Sequence, residues 1–218
     1  MIEVVTEYGP LILQAFWVTI QLAVVSGIGS IIFGTMLVAM RVGPVASLSR
    51  FASTYVTLVR NTPLIVVCII VFAGLPTVGI LNQVPFLLKG FVAVTLYTAP
   101  FVCEALRAGI NSVPLGQAEA ARSIGLDFTG TMTQVVLPQA YAASIPPMVS
   151  VLIAMTKNTS VVGIFGLIEA FARMRGLLND NATLYYPIFF VIALGYIFLV
   201  ELISAVGYLA ERRVGAAR

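Results

Sequence analysis

Glu104-Ala-Leu-Arg107, Pro114-Leu-Gly-Gln117, Glu119-Ala-Ala121, Gly125 and Leu137-Pro138-Gln139 punctuate residues 104–139, a polar stretch in an otherwise oily chain. It holds three acidic residues (Glu104, Glu119, Asp127) and two arginines (Arg107, Arg122), and long apolar sequence lies on both sides. Loops of this length are uncommon without a task. A chain that keeps so structured a segment between two membrane spans has something to dock there.

The solvent of the rest is lipid. Of 218 residues, 60% are hydrophobic and only 10% charged, where soluble domains carry about 25% charged residues, and the mean hydropathy is +1.03. Spans of about 20 apolar residues can be drawn five times, over residues 13–40, 53–75, 90–108, 139–156 and 184–209. The expectation is an all-α, polytopic protein in which residues 1–218 form one transmembrane domain and 109–138 a docking segment. From Tyr8 to Met40 no residue is charged, enough for one tilted helix and too little for two. Ser26, Ser30 and Gly34 give that helix a small-residue stripe for close approach by another. Glu3 and Glu7 stand where a cleaved signal would be basic, so the first apolar stretch reads as a true span.

No histidine is present, and the two cysteines, Cys68 and Cys103, lie apart in apolar sequence. They read as packing residues, with neither a disulfide nor a transition-metal site expected. A net charge of +3 suits the positive-inside bias of membrane proteins better than nucleic-acid binding, which needs a concentrated basic face. With the N-terminus outside, the inner segments hold Arg41, Arg50, Arg107, Arg122, Arg212, Arg213 and Arg218, against Lys89, Lys157, Arg173 and Arg175 outside. Seven against four favours N-out and C-in, which puts residues 104–139 in the cytoplasm.

Local rules divide the docking segment. Ser112 is placed to cap a helix that has Pro114 in its first turn. Leu115 to Ile124 reads as that helix, with Gly125 as its left-handed terminator. Asp127 can cap a second short helix, Phe128 to Val136, which is expected to stop before Pro138. Glu119 and Arg122 can pair three residues apart.

The pattern Glu119-Ala120-Ala121, Gly125, Val135, Leu137-Pro138 resembles the signature of ATP-binding-cassette (ABC) importer permeases, with Val135 where that family often has Ile. Arg60-Asn61-Thr62-Pro63-Leu64, Glu104, Arg107, Gly116-Gln117, Pro138-Gln139-Ala140 and Lys157-Asn158-Thr159-Ser160 are similar to the polar amino-acid (histidine, glutamine and glutamate) branch. Phe16-Trp-Val-Thr-Ile20, Phe33-Gly-Thr35 and Met40-Arg-Val42 look most like actinobacterial glutamate-importer permeases. The resemblance covers nearly the whole chain and implies a type I importer permease fold in a bacterial plasma membrane. It implies that Pro114, Gly116, Gln117, Glu119, Ala120, Ala121, Arg122, Gly125, Leu137 and Pro138 couple to a cytoplasmic ATPase. Gly125 and Pro138 are then hinge or register points. The implied partners are a dimer of nucleotide-binding subunits, a second and non-identical permease, and an extracytoplasmic substrate-binding protein that meets the outer surface around Glu169, Arg173 and Arg175. Asn158 stands where many relatives have Asp, which removes a carboxylate and weakens the case for a cationic substrate.

This chain has no GxxxxGK[ST] sequence, so ATP and Mg are expected in partner subunits, with no cofactor or catalytic site here. Candidate pathway residues are Arg60, Asn61 and Thr62, then Lys157, Thr159 and Ser160. Arg60 either steadies its helix end or offers positive charge to an anionic group. Lys157 either snorkels at the interface or lines the pathway. Glu104 and Arg107 are expected as a structural ion pair. Two rivals remain. An ion-driven secondary transporter would need free intramembrane carboxylates, for which only Glu104 and Glu201 are available, and the other rival is a membrane assembly protein that transports nothing.

Overall fold

A computed structural model describes residues 1–215, with side chains as far as Arg213. Arg218, one of the seven inner cations, lies outside the described residues. In chain order the helices are α1 (Ile2–Val42), α2 (Ala46–Arg60), α3 (Leu64–Ile69), α4 (Leu75–Thr77), α5 (Phe86–Asn111), α6 (Leu115–Ser123), α7 (Phe128–Thr131), α8 (Leu137–Val162), α9 (Ala170–Asp180) and α10 (Tyr185–Gly215). Four helical stretches are long and apolar enough to cross a membrane, and the pair Ala46–Arg60 and Leu64–Thr77 makes a fifth if it is one bent span.

The 41 residues of α1 rise about 60 Å, twice the roughly 30 Å of a bilayer core. The helix therefore starts long before Leu13. Gly9-Pro10 does not interrupt it, because Val4 and Ile12 are buried against Leu177, Ile188 and Ile192. The small-residue stripe faces α5. The Ser26 and Ser30 hydroxyls donate to the carbonyls of Phe91 and Thr95 at 3.5 Å each, and the shared offset makes the two helices parallel. A Cβ on Gly34 would lie 2.8 Å from the Ala99 carbonyl oxygen, so only glycine allows this approach.

The second span, expected over 53–75, consists of two pieces meeting at 107°. Pro63 causes the break: it offers no N–H and pushes Thr62 out of the helical region. The first piece, α2, buries only Ala52 and Val56 and is tied down by the Tyr55 hydroxyl, which donates to the Leu96 carbonyl at 2.9 Å.

Two wide π turns, Ile70–Gly74 and Met132–Val136, each end immediately before a Leu-Pro pair, Leu75-Pro76 and Leu137-Pro138. A proline inside a helix lacks a donor and crowds the carbonyl four residues back, and a widened turn relieves both. The helix expected to stop before Pro138 therefore continues through it, and Phe128–Phe165 is one rod of 38 residues. That rod runs antiparallel to α5 and leaves no room for a side chain at Gly109, which faces Ala140 and Ser144. The central core joins Leu22 of α1, Cys68 of α3, Val94 of α5 and Met155 and Val162 of α8. Both cysteines are buried free thiols.

Candidate functional site

At the end of the bundle where α5 stops and α8 begins, α6 stands out as an exposed knob. Only Ala121 is buried in it, while Leu115, Ile124 and Phe128 around it are 80%, 82% and 64% exposed. Large apolar side chains presented together to water mark a protein contact. Gly125, at φ +95°, ends the helix in a double-bonded reversal. Its own N–H reaches the Arg122 carbonyl at 3.0 Å and the Leu126 N–H reaches the Ala121 carbonyl at 3.2 Å, a Schellman arrangement. Asp127 then caps α7 by accepting from the Gly130 N–H at 2.7 Å. Gln139 Nε2 donates to the Val135 carbonyl at 2.8 Å and to Gln117 Oε1 at 3.4 Å, which fastens the knob to the root of α8.

Two local expectations are corrected. Ser112 does not cap α6. It closes α5, which runs on to Asn111, and its hydroxyl donates to the Gly109 carbonyl at 2.7 Å. Glu119 and Arg122 form no ion pair among the described residues. Both side chains are exposed, where water competes well with such a pair.

Above the knob, Glu104 gathers three arginines from three helices. Its Oε1 lies 2.6 Å from Arg41 Nη1 and 3.5 Å from Arg60 Nη1, and its Oε2 lies 3.0 Å from Arg107 Nη2. The i,i+3 partner Arg107 was visible in the sequence. Arg41 and Arg60 were not, since nothing local links positions 63 and 44 residues away. One carboxylate against three guanidinium groups leaves a local excess of positive charge, and the longest contact is the one to Arg60.

Arg60 leans over the Phe101 ring, 5.7 Å from its centroid. Phe101 belongs to a cleft of about 360 Å³ between α5 and α8, lined also by Tyr97, Thr98, Ser150, Ala154 and Asn158. Thr98 is 3% exposed and its hydroxyl has no hydrogen-bond partner among the described residues. A buried polar group left in this way is a donor waiting for an acceptor. None of the six pathway candidates lines this cleft, and Arg60 approaches it only through its contact with the Phe101 ring. Asn61 and Thr62 turn back on the Thr57 and Leu58 carbonyls. Thr159 is fully buried and donates to the Thr156 carbonyl at 2.7 Å. Lys157 is exposed and Ser160 bonds the Lys157 carbonyl, and neither lines the cleft. The stripe Ser150, Ala154, Asn158 recurs every four residues, so one helix face of small and polar residues was legible and pointed to the cleft.

At the far end of the bundle, Glu169 is fully buried. Its carboxylate accepts from the N–H groups of Phe171 (2.9 Å) and Ala172 (2.7 Å) and from the Tyr196 hydroxyl (2.8 Å). Beside it, the Ala170 N–H donates to the Thr19 hydroxyl at 3.1 Å. Burial pushes the Glu169 carboxyl above its ordinary value, and the backbone and Tyr196 donors pull against that. The residue expected on a solvated outer surface is thus the buried pin that fixes α9 to α1 and α10.

Residues 30–216 match the family described as binding-protein-dependent transport system inner membrane component. A glutamate transport system permease protein of Corynebacterium glutamicum is 40% identical over 94% of this chain and 95% of its own length. An arginine transport system permease protein of Bacillus subtilis is 32% identical over 94% and 93%. Among solved structures, a chain in the crystal structure of an amino acid ABC transporter with histidines superposes with a TM-score of 0.88 at 27% identity. The match covers 95% of this chain and 96% of that one.

Proposed function

The chain belongs to the family of binding-protein-dependent transport system inner membrane components, and from that premise we propose that it is the permease subunit of an ATP-driven importer of glutamate or a related acidic amino acid. The whole chain serves as one permease domain and forms half of the translocation pathway, the other half coming from a second, non-identical permease. Its N-terminus lies outside and its C-terminus in the cytoplasm. A substrate-binding protein delivers the amino acid at the outer surface beside α9. Two ATPase subunits, which bind the ATP and Mg, grip the α6 knob.

The observation that carries this reading is continuity. The exposed apolar tips beside α6 lead through α7 and the π turn into α8, whose far half carries Ser150, Ala154 and Asn158 in the cleft wall. Movement of the knob driven by closing ATPase subunits is thereby delivered to the cleft along one helix. Acidic cargo is favoured by charge. No carboxylate lines the cleft among the described residues, and the Arg60 guanidinium lies against the Phe101 ring that forms part of its wall. The unpaired Thr98 hydroxyl adds a donor suited to a carboxylate. Glu104, saturated by arginines, is a poor candidate for the free proton-coupling group that an ion-driven carrier needs.

The test is uptake by the complete complex in proteoliposomes with its binding protein. ATP-dependent glutamate accumulation is expected, with Arg60→Gln raising the KM for glutamate at least tenfold and that for glutamine much less. Uptake that persists without ATP and collapses with an uncoupler would sink the mechanism. Equal effects of Arg60→Gln on both amino acids would sink the assignment of charge recognition to Arg60.

A further inference from the structure

We infer that the permease carries a built site for one anionic phospholipid, at the membrane end that bears Arg41, Arg107 and Arg213. A groove of about 530 Å³ opens there between α1, α5, α8 and α10, with Val38, Leu106, Tyr141, Ile145 and Met148 in its walls. A second groove of about 410 Å³ shares Tyr141, Ile145 and Ala210 with it and ends at Arg213. Together they form an apolar trough with a cation at its mouth.

The lining says what the trough accepts. Its two aliphatic hydroxyls are already spent inside their own helices: Thr35 donates to the Ile31 carbonyl and Ser144 to the Ala140 carbonyl, at 2.7 Å each. Apart from Tyr141, which lines both grooves, the walls therefore offer a polar solute or a water chain no spare side-chain donor short of Arg213. An acyl chain needs none. At the mouth, the nearby arginines of the bundle end are not equivalent. Arg41 and Arg107 are consumed by Glu104, and Arg212 stacks on the Tyr208 ring at 4.6 Å. Arg213 is exposed and in no ion pair among the described residues. Glu211, two residues earlier, sits more than half a turn around the helix from it. A free guanidinium above an apolar trough matches a phosphate diester above an acyl chain, and basic pockets between spans on the cytoplasmic side recognise acidic headgroups in this way. A transmembrane helix of another subunit would need a carboxylate at the level of Arg213 to match this charge, whereas an anionic lipid brings the acyl chain and the anion together. That charge match decides for lipid.

The trough touches α8 just beyond Leu137-Pro138, so an occupant would brace the rod that joins knob and cleft. This site is independent of which amino acid is carried. The experiment is native mass spectrometry of the whole transporter complex, purified in detergent and offered phosphatidylglycerol or phosphatidylcholine. The expected result is a phosphatidylglycerol adduct retained by wild type and weakened at least tenfold by Arg213→Gln. Ala210→Trp, which fills the trough without touching the charge, should abolish it, and phosphatidylcholine should be retained no better than by Arg213→Gln. The subunit composition of each variant complex, read in the same spectra, shows that the complex is assembled. Three results overturn the proposal: equal retention of the two lipids, phosphatidylglycerol retention unchanged in both variants, or a disulfide between Ala210→Cys and a cysteine scanned along the second permease.

Discussion

Replacing Glu169 by alanine takes away the acceptor for two N–H groups at the start of α9 and for the Tyr196 hydroxyl. Each buried donor stranded in this way costs about 1–3 kcal/mol, and loss of a helix N-cap typically costs about 1 kcal/mol. The terms are not independent, because Phe171 and Ala172 are only half-buried and water can reach them once the side chain is gone. Tyr196 is half-buried as well, so its hydroxyl gains part of the same relief. A total of about 2–5 kcal/mol is therefore expected. It falls on α9 rather than on the spans, which are held by their own cores. At about 1.4 kcal/mol per factor of ten, amide hydrogen exchange over 171–177 should accelerate roughly 30- to 4000-fold in Glu169→Ala, measured on the complex in nanodiscs. Exchange in α5 should stay unchanged. Glu169→Gln keeps the shape but turns an amide NH2 toward one of the donors, so it should fall between wild type and alanine. Exchange over 171–177 within threefold of wild type in the alanine variant would show that α9 is held by its apolar contacts and not by the buried carboxylate.

The same carboxylate sets a pH dependence. Its folded value is raised by burial, so its contribution to stability is fully present below the ordinary carboxyl value and is lost as pH rises through the raised one. Thermal melts across that window should show wild type losing stability relative to Glu169→Gln as pH increases. On the coupling surface, Phe128→Asp puts a charge on a 64% exposed aromatic; it should leave membrane insertion intact and weaken ATPase co-purification by at least tenfold, the loss typical of an aromatic anchor, about 2 kcal/mol. Gly34→Leu drives a side chain into Ala99 and Val102 of α5. Overpacking of that kind costs about 1–3 kcal/mol, read as a lower melting temperature of the detergent-solubilised complex.

Legibility in the sequence tracks the range of the interactions concerned. The apolar spans, the Gly125 terminator and the Asp127 cap depend on neighbours within a few residues, and each could be read locally. The Leu-Pro pairs were visible too, but a proline can end a helix or widen it. At Pro138 the preceding turn, Met132–Val136, widens and the helix runs on, and no neighbouring residue type announces which outcome is taken. The arginine cluster on Glu104 was out of reach because its members are contributed by α1, α2 and α5. Lys157, Thr159 and Ser160 look like pathway residues as a polar tetrapeptide with Asn158. On a helix, however, four successive residues face four directions, and only Asn158 points to the cleft. Glu169 misled for the opposite reason: in a mixed loop a charged residue reads as solvated, and its burial is visible only once Thr19 and Tyr196 stand beside it.

That α7 runs into α8 without a stop changes where coupling slack can reside. A hinge at Pro138 would let the knob swing while the cleft wall stayed still. A π turn instead holds one extra residue in a continuous helix, about 100° of rotation between the helical segments on its two sides. The bearing of Phe128 relative to Asn158 is therefore set by whether the turn Met132–Val136 stays wide. Pro138→Ala restores an N–H donor and removes the ring that crowds the preceding carbonyls, so the turn can tighten. The variant is expected to be as stable as wild type or more so, since the helix gains a hydrogen bond. Its knob would meet the ATPase at the wrong rotation. Assembly should survive while amino acid imported per ATP hydrolysed falls several-fold, measured with both quantities on one proteoliposome preparation. A Pro138→Ala complex with the wild-type ratio would mean that the wide turn is only an accommodation to proline, and that the setting of the knob is fixed instead by the Gln117–Gln139 contact.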